Sequence, residues 1–320
     1  MRGTRARPGL RGRRPVRAAV DAPGQPALSE ALPLPRAGLM SVWLPTAPCT
    51  PGACVEPAAP AASVPRAVLR LTAVAVLVLA GIALTPLGGR IPAEWVRRWC
   101  RSIVRAIGVR VRLTGTTAPD GGLLLVANHV SWLDIPLLAA VRPARMLAKT
   151  EIRDWPVAGA LAARGGAVFI ERDRLRALPD TVARIAHALR EGAAVVAFPE
   201  GSTWCGRAHG RFHRAVFQAA LDAGVPVQPV RLRYRQDGGG AASTAAAFVG
   251  EDTLLASLWR VARARGLVAE VDIRPVIPPG DQPDRRSLAR AAQPVPSETA
   301  WTHAVLLAPQ LSPQGMTRAR

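Results

Sequence analysis

The chain has 320 residues and 49% of them are hydrophobic, enough for one sizeable catalytic domain with appendages, which excludes a wholly disordered protein. Its formal net charge of +20 comes almost entirely from arginine, Lys149 being the only lysine. Such charge favours anionic partners, nucleic acid or anionic lipid headgroups, without choosing between them.

Taken in chain order, Met1 to Pro65 is rich in Pro, Ala and Arg, has no sustained apolar period, and is expected to be a disordered basic extension (residues 1–65). No long apolar core follows its arginines closely, so it does not compose a signal peptide. A nucleic-acid binder interleaves aromatic and basic side chains, whereas this stretch holds one aromatic, Trp43, so no nucleic-acid partner is expected. Leu71 to Leu87 carries no charge and stands between Arg66 and Arg70 on one side and Arg90 on the other. At about 17 residues it sits at the short limit for a bilayer span. Ala93 to Val109 spaces Trp95, Trp99, Ile103 and Ile107 at four-residue intervals, with Arg97, Arg98, Arg101 and Arg105 on other faces. It is predicted to be an amphipathic helix lying on an anionic lipid surface, the alternative being a helix that packs its stripe on the core. Residues 66–109 are therefore expected to form a membrane-associated helical segment.

From Val111 onward short apolar runs alternate with helical stretches. Leu123–Ala127, Ala167–Ile170, Ala194–Phe198, Val227–Leu232 and Val268–Ile273 are predicted strands, mostly buried because alternation along them is weak. Pro136–Ala140, Val157–Arg164, Leu178–Glu191, Phe212–Ala223 and Asp252–Arg265 are predicted helices. The alternation predicts an α/β layered domain over residues 110–280, followed by a Pro-, Arg- and Gln-rich tail, 281–320. The four cysteines, Cys49, Cys54, Cys100 and Cys205, fall in no paired metal-ligand pattern, so neither a zinc site nor a disulfide framework is indicated and a reducing compartment is expected. Cys205 has no activating partner near it in sequence and reads as an inert thiol. His209 and His213 are four apart without a third ligand, so no metal is expected.

The sharpest local feature is Asn128-His129-Val130-Ser131-Trp132-Leu133-Asp134, directly after a buried strand. A histidine there can act as a general base, and a carboxylate on its other nitrogen would fix the tautomer and support the imidazolium. On one continuous helix a five-residue offset would set His129 and Asp134 about 140° apart. They meet only if His129 lies in the loop and Asp134 opens the next helix, a geometry Pro136 supports because proline is tolerated in a helix's first turn. The competing reading makes Asp134 a helix N-cap and His129 a loop residue.

Three more segments accompany it: Gly166-Ala-Val-Phe-Ile-Glu-Arg172, Phe198-Pro-Glu-Gly-Ser202 and Val225-Pro-Val-Gln-Pro-Val230. In order and spacing, the four together resemble the motif blocks of the glycerolphosphate acyltransferase family, which includes the lysophosphatidate acyltransferases. The resemblance spans about residues 110–278. It implies an α/β domain with a central mixed sheet flanked by helices, and transfer of a fatty acyl group to the free hydroxyl of a lysolipid. It further implies His129 as the base and Asp134 as its orienting partner, with Asn128 accessory to them. Arg172, Glu200, Gly201 and Ser202 match positions that hold the acceptor's polar head, and Pro229 matches one that shapes the site. No bound cofactor is implied, only an acyl thioester co-substrate, acyl-CoA or acyl carrier protein. The enzyme is expected at the membrane with its site facing the cytoplasm. One departure stands out: many lysophosphatidate acyltransferases follow Phe-Pro-Glu-Gly with Thr-Arg-Ser, whereas this chain has Ser202-Thr203-Trp204. Either Arg207 or Arg211 takes the place of the missing arginine, or the acceptor carries a different head, as in the ornithine-lipid acyltransferases of the same family.

Overall fold

Short apolar strands linked by helices fold into a single seven-stranded sheet. The computed structural model describes residues 47–56, 63–84, 86–87, 91–155, 158–171, 174–239 and 241–293, all within the unit Trp43–Arg320. In chain order the elements are α1 (Pro51–Cys54), α2 (Val64–Leu84), α3 (Ala93–Ala106), β1 (Arg110–Thr114), β2 (Leu123–Ala127), α4 (Asp134–Val141), β3 (Arg145–Lys149), α5 (Ala158–Arg164), β4 (Val168–Ile170), α6 (Leu178–Arg190), β5 (Ala194–Ala197), α7 (Ala215–Ala223), β6 (Val227–Gln236), α8 (Leu254–Arg263), β7 (Leu267–Ile273) and α9 (Arg285–Ala292). Strand order is β1-β7-β6-β2-β5-β3-β4, with β6 and β7 antiparallel and the other neighbours parallel. The sheet is thus mixed, as expected.

The central strand β2 is buried at every position. Leu123, Leu125 and Ala127 enter one core with Leu137 and Leu138 of α4 and Val261 of α8, while Leu124 and Val126 enter another with Ile185 and Leu189 of α6 and Phe217 of α7. A strand covered on both faces needs no polar side, which explains its unbroken apolar sequence. The opposite holds for β1, an edge strand exposed throughout and rich in arginine, and for the half-exposed β3. Neither offers an apolar run, so neither is visible in the sequence.

Three expectations need correction. First, part of the supposed extension is packed on the domain: Cys49 is buried in the first core, and Glu56 donates its N–H to Thr244 Oγ1 at 3.0 Å. Residues 1–46 lie outside the described residues. Secondly, the domain runs past position 280, because α9 places Leu288, Ala289 and Ala292 in the second core and is capped by Asp284 and Ser287 in a capping box. Thirdly, the apolar stripe of residues 93–109 is divided. Ile103, Val104 and Ile107 are buried, Trp99 donates its indole N–H to the Leu77 carbonyl of α2 at 2.8 Å, and only Trp95 is well exposed, at 60%. Packing on protein therefore takes most of that stripe.

The helix α2 has 21 residues, of which an 18-residue stretch reaches a mean hydropathy of 2.4, long and apolar enough to cross a membrane. It starts before the uncharged run and includes Arg70, whose guanidinium donates to the Ala262 and Ala264 carbonyls at the end of α8, at 2.9 and 2.8 Å. Those carbonyls lack helical partners, so a cation there both satisfies them and suits the helix dipole. Leu69, Val76 and Leu79 of α2 remain exposed.

Candidate active site

Strands β2, β5 and β4 run parallel, so the segments following them gather at one edge of the sheet, where open α/β sheets place their ligands. Immediately after β2, Asn128 is tied to β6: its side-chain amide donates to the Leu232 carbonyl at 2.9 Å and accepts from the Leu232 N–H at 2.8 Å. This pair of hydrogen bonds to a neighbouring strand fixes the start of the loop that carries His129.

The loop turns at Ser131, where the Asp134 N–H donates to the Ser131 carbonyl at 3.1 Å, and α4 begins at Asp134 with Pro136 in its first turn. The Asp134 carboxylate folds backward. Its Oδ2 accepts from the Val130 and Ser131 N–H groups at 2.7 and 2.9 Å and lies 2.8 Å from His129 Nδ1. Its Oδ1 accepts from the Tyr234 hydroxyl at 2.6 Å. The helix cap is Leu133, without a side-chain bond, so Asp134 braces the preceding turn rather than serving as the N-cap. The loop placement of His129 is what lets the pair meet.

Asp134 is fully buried, and all of its partners can donate, a set that an acceptor-only carboxylate satisfies. A proton on His129 Nδ1 completes that set and leaves a lone pair on Nε2, which has no hydrogen-bond partner among the described residues. The imidazole stacks on Phe198, with centroids 4.0 Å apart and planes 15° apart, and is 19% exposed. It is rigid, oriented and reachable.

Beyond β5, Glu200 is buried and binds the same loop: its Oε2 accepts from the His129 N–H at 2.7 Å and its Oε1 from the Gly210 N–H at 2.9 Å. Burial pushes its carboxyl up to about 8, although these two N–H groups oppose the shift; the nearby Asp134 charge adds to it. Gly201 takes φ 76°, left-handed backbone that favours glycine, as the chain reverses after Pro199 and Glu200. The Trp204 N–H then returns to the His129 carbonyl at 2.8 Å. Along this stretch Ser202 Oγ, Trp204 Nε1 and His209 Nδ1 are buried without a hydrogen-bond partner. Orphaned polar atoms of this kind are rare and call for a partner.

The structure thus brings together Asn128, His129, Asp134, Glu200, Gly201 and Ser202. Arg172 lies outside the described residues. Arg207 is turned to Glu56, at 3.1 Å, and Arg211 is exposed. Pro229 is buried in β6 opposite Val126 of β2, within the sheet. Sequence reasoning did not find Tyr234, the only tyrosine in the chain, or Phe198 as a stacking platform, and it weighed His209 only as a metal ligand; burial and the Arg231 charge hold that imidazole below its usual range. A lone tyrosine in the strand after the fourth block was the one available signal.

The chain matches the Acyltransferase family over residues 109–233. It is 42% identical over 218 residues to the lyso-ornithine lipid O-acyltransferase of Pseudomonas aeruginosa, covering 67% of this chain and 80% of that one. It is 36% identical over 190 residues to the 1-acyl-sn-glycerol-3-phosphate acyltransferase of Neisseria meningitidis serogroup B, covering 59% of this chain and 73% of that one. The fold is similar to the crystal structure of the 1-acyl-sn-glycerophosphate (LPA) acyltransferase PlsC from Thermotoga maritima, with a TM-score of 0.55 at 17% identity, covering 72% of this chain and 91% of that one.

Proposed function

This chain belongs to the Acyltransferase family and is an O-acyltransferase, and from that premise we propose that His129 activates the free hydroxyl of a lysolipid for attack on an acyl thioester. The observation that carries the proposal is the His129–Asp134 pair, with Nδ1 engaged and Nε2 open. Nε2 takes the hydroxyl proton as the oxygen attacks the thioester carbonyl; the C–S bond then breaks, and the imidazolium returns its proton to the departing thiolate. Asp134 supports the imidazolium in between. The donor is an acyl thioester of coenzyme A or of acyl carrier protein, and no metal or covalent enzyme intermediate enters these steps.

The acceptor head is assigned to the third block and to Arg172, which follows the last residue of β4 by two positions in sequence. Ser202, Trp204 and His209 offer it their unpartnered polar atoms. The motif blocks favour lysophosphatidate. A second acceptor, lyso-ornithine lipid, is favoured by Thr203 standing where many lysophosphatidate enzymes have arginine and by the identity to the Pseudomonas aeruginosa enzyme. The exposed apolar face of α2 fits attachment to a membrane, with the site on the cytoplasmic side and residues 110–292 as the catalytic domain.

Both acceptors should be assayed side by side with wild type and Thr203→Arg. Preference for lyso-ornithine lipid that shifts toward lysophosphatidate in the variant makes position 203 a specificity determinant; if neither acceptor responds to it, the head-group assignment is wrong.

A further inference from the structure

We infer that Cys49, Cys54 and Cys205 form a thiolate site for one zinc ion, which ties the segment 47–56 to the loop beside His129. The three sulfurs lie within 4.8 Å of one another: Cys54 closes one helical turn, Cys49 precedes the N-cap of that turn, and Cys205 comes from far along the chain. Around a tetrahedral zinc with Zn–S bonds of about 2.3 Å, sulfurs stand about 3.8 Å apart, so small side-chain rotations close the site. Three thiols in mutual reach suit a d10 cation better than a disulfide, which uses two and leaves one over.

Gly206 adopts φ 83° directly after Cys205, so the chain turns at the third sulfur. Zinc binds cysteine as thiolate, the form in which each of the three sulfurs enters the site. Cys49 and Cys205 are both buried in the first core, which limits access by competing oxidants. Cys205 directly follows Trp204, whose N–H holds the His129 carbonyl, so the ion braces the active-site loop without touching the reacting atoms.

The full chain, purified in detergent under reducing conditions, should be titrated with zinc against a chromophoric chelator and, separately, with cobalt. One zinc per chain and a thiolate-to-cobalt charge-transfer band are expected in wild type and in Cys100→Ala, a thiol outside the cluster. Cys54→Ser and Cys205→Ser should each lower zinc affinity at least about tenfold and remove or shift the band. The cobalt spectrum of wild type reads the site even if a variant fails to fold. No stoichiometric zinc and no charge-transfer band in wild type, or a Cys49–Cys205 disulfide in reduced preparations, would overturn the assignment.

Discussion

Asp134 receives two backbone N–H groups, the Tyr234 hydroxyl and the His129 ring, so its charge and its size can be tested separately. Asp134→Asn keeps the size but turns an amide donor toward at least one of these donors and removes the charge behind the imidazolium. Turnover is expected to fall about 10²–10⁴-fold while circular dichroism shows the fold retained. Normal turnover with reduced stability would reduce Asp134 to a brace of the turn. Tyr234→Phe deletes one hydrogen bond to a charged group and should destabilise the protein by about 1.5–3 kcal/mol in urea, with kcat lowered and KM unchanged. Stability and rate equal to wild type would contradict that role. Glu200 sets a pH dependence. With its carboxyl raised from 4.5 to about 8, the folded state keeps a proton that the unfolded state has lost across that window. The unfolded state binds fewer protons, so stability falls as pH rises from about 5 to 8. Glu200→Gln cannot titrate, and its melting temperature should decline less over the same range; equal slopes would show that Glu200 is ionised throughout. At this scale proline and a strand end made the pairing of His129 with Asp134 possible to read, and the resemblance of the four motif blocks favoured it over an N-cap. Tyr234 and the cysteine triad were not legible, because tertiary folding alone brings them near.

Elements with both faces covered were legible and those at the margins were not. β2 was found residue for residue, since its five buried positions leave an unbroken apolar run. β1 and α9 escaped because arginines dominate both, and α9 has only a few apolar side chains to place in the core. The α2–α3 pair shows where periodicity misleads: a stripe that suits lipid equally suits another helix, and Trp99 packs on α2 instead. The proposed membrane attachment then rests on the outer face of α2. Val76 and Leu79 are exposed, so Val76→Glu with Leu79→Glu should leave folding intact. A charge near the centre of a membrane helix costs about 2.5–3.5 kcal/mol, so the double variant should move from the membrane pellet toward the supernatant. A variant that stays fully in the pellet would assign anchoring to another surface.

Across the whole molecule, the order of the strands is what unites the site. β2 lies between β5 and β6, so the His129 loop meets Glu200 from one side and Asn128 reaches Leu232 on the other. The four motif blocks already implied an α/β domain with a mixed sheet, but no local pattern specified which strands are neighbours, because that depends on long-range packing. The segment 47–56 is the clearest case, since composition alone marks it as tail while Cys49 and Glu56 fasten it to the domain. The proposed chemistry depends on a single nitrogen, His129 Nε2. The most direct measurement is therefore acyl transfer by the full chain in lipid nanodiscs, wild type against His129→Ala, following thiol release and diacyl product with lysophosphatidate and lyso-ornithine lipid. The mechanism predicts product and thiol in equal amounts from wild type with at least one acceptor, and a loss of about 10²–10⁴-fold in a variant that melts normally. Near-normal turnover by His129→Ala, or no transfer to either lysolipid by wild type, would contradict it.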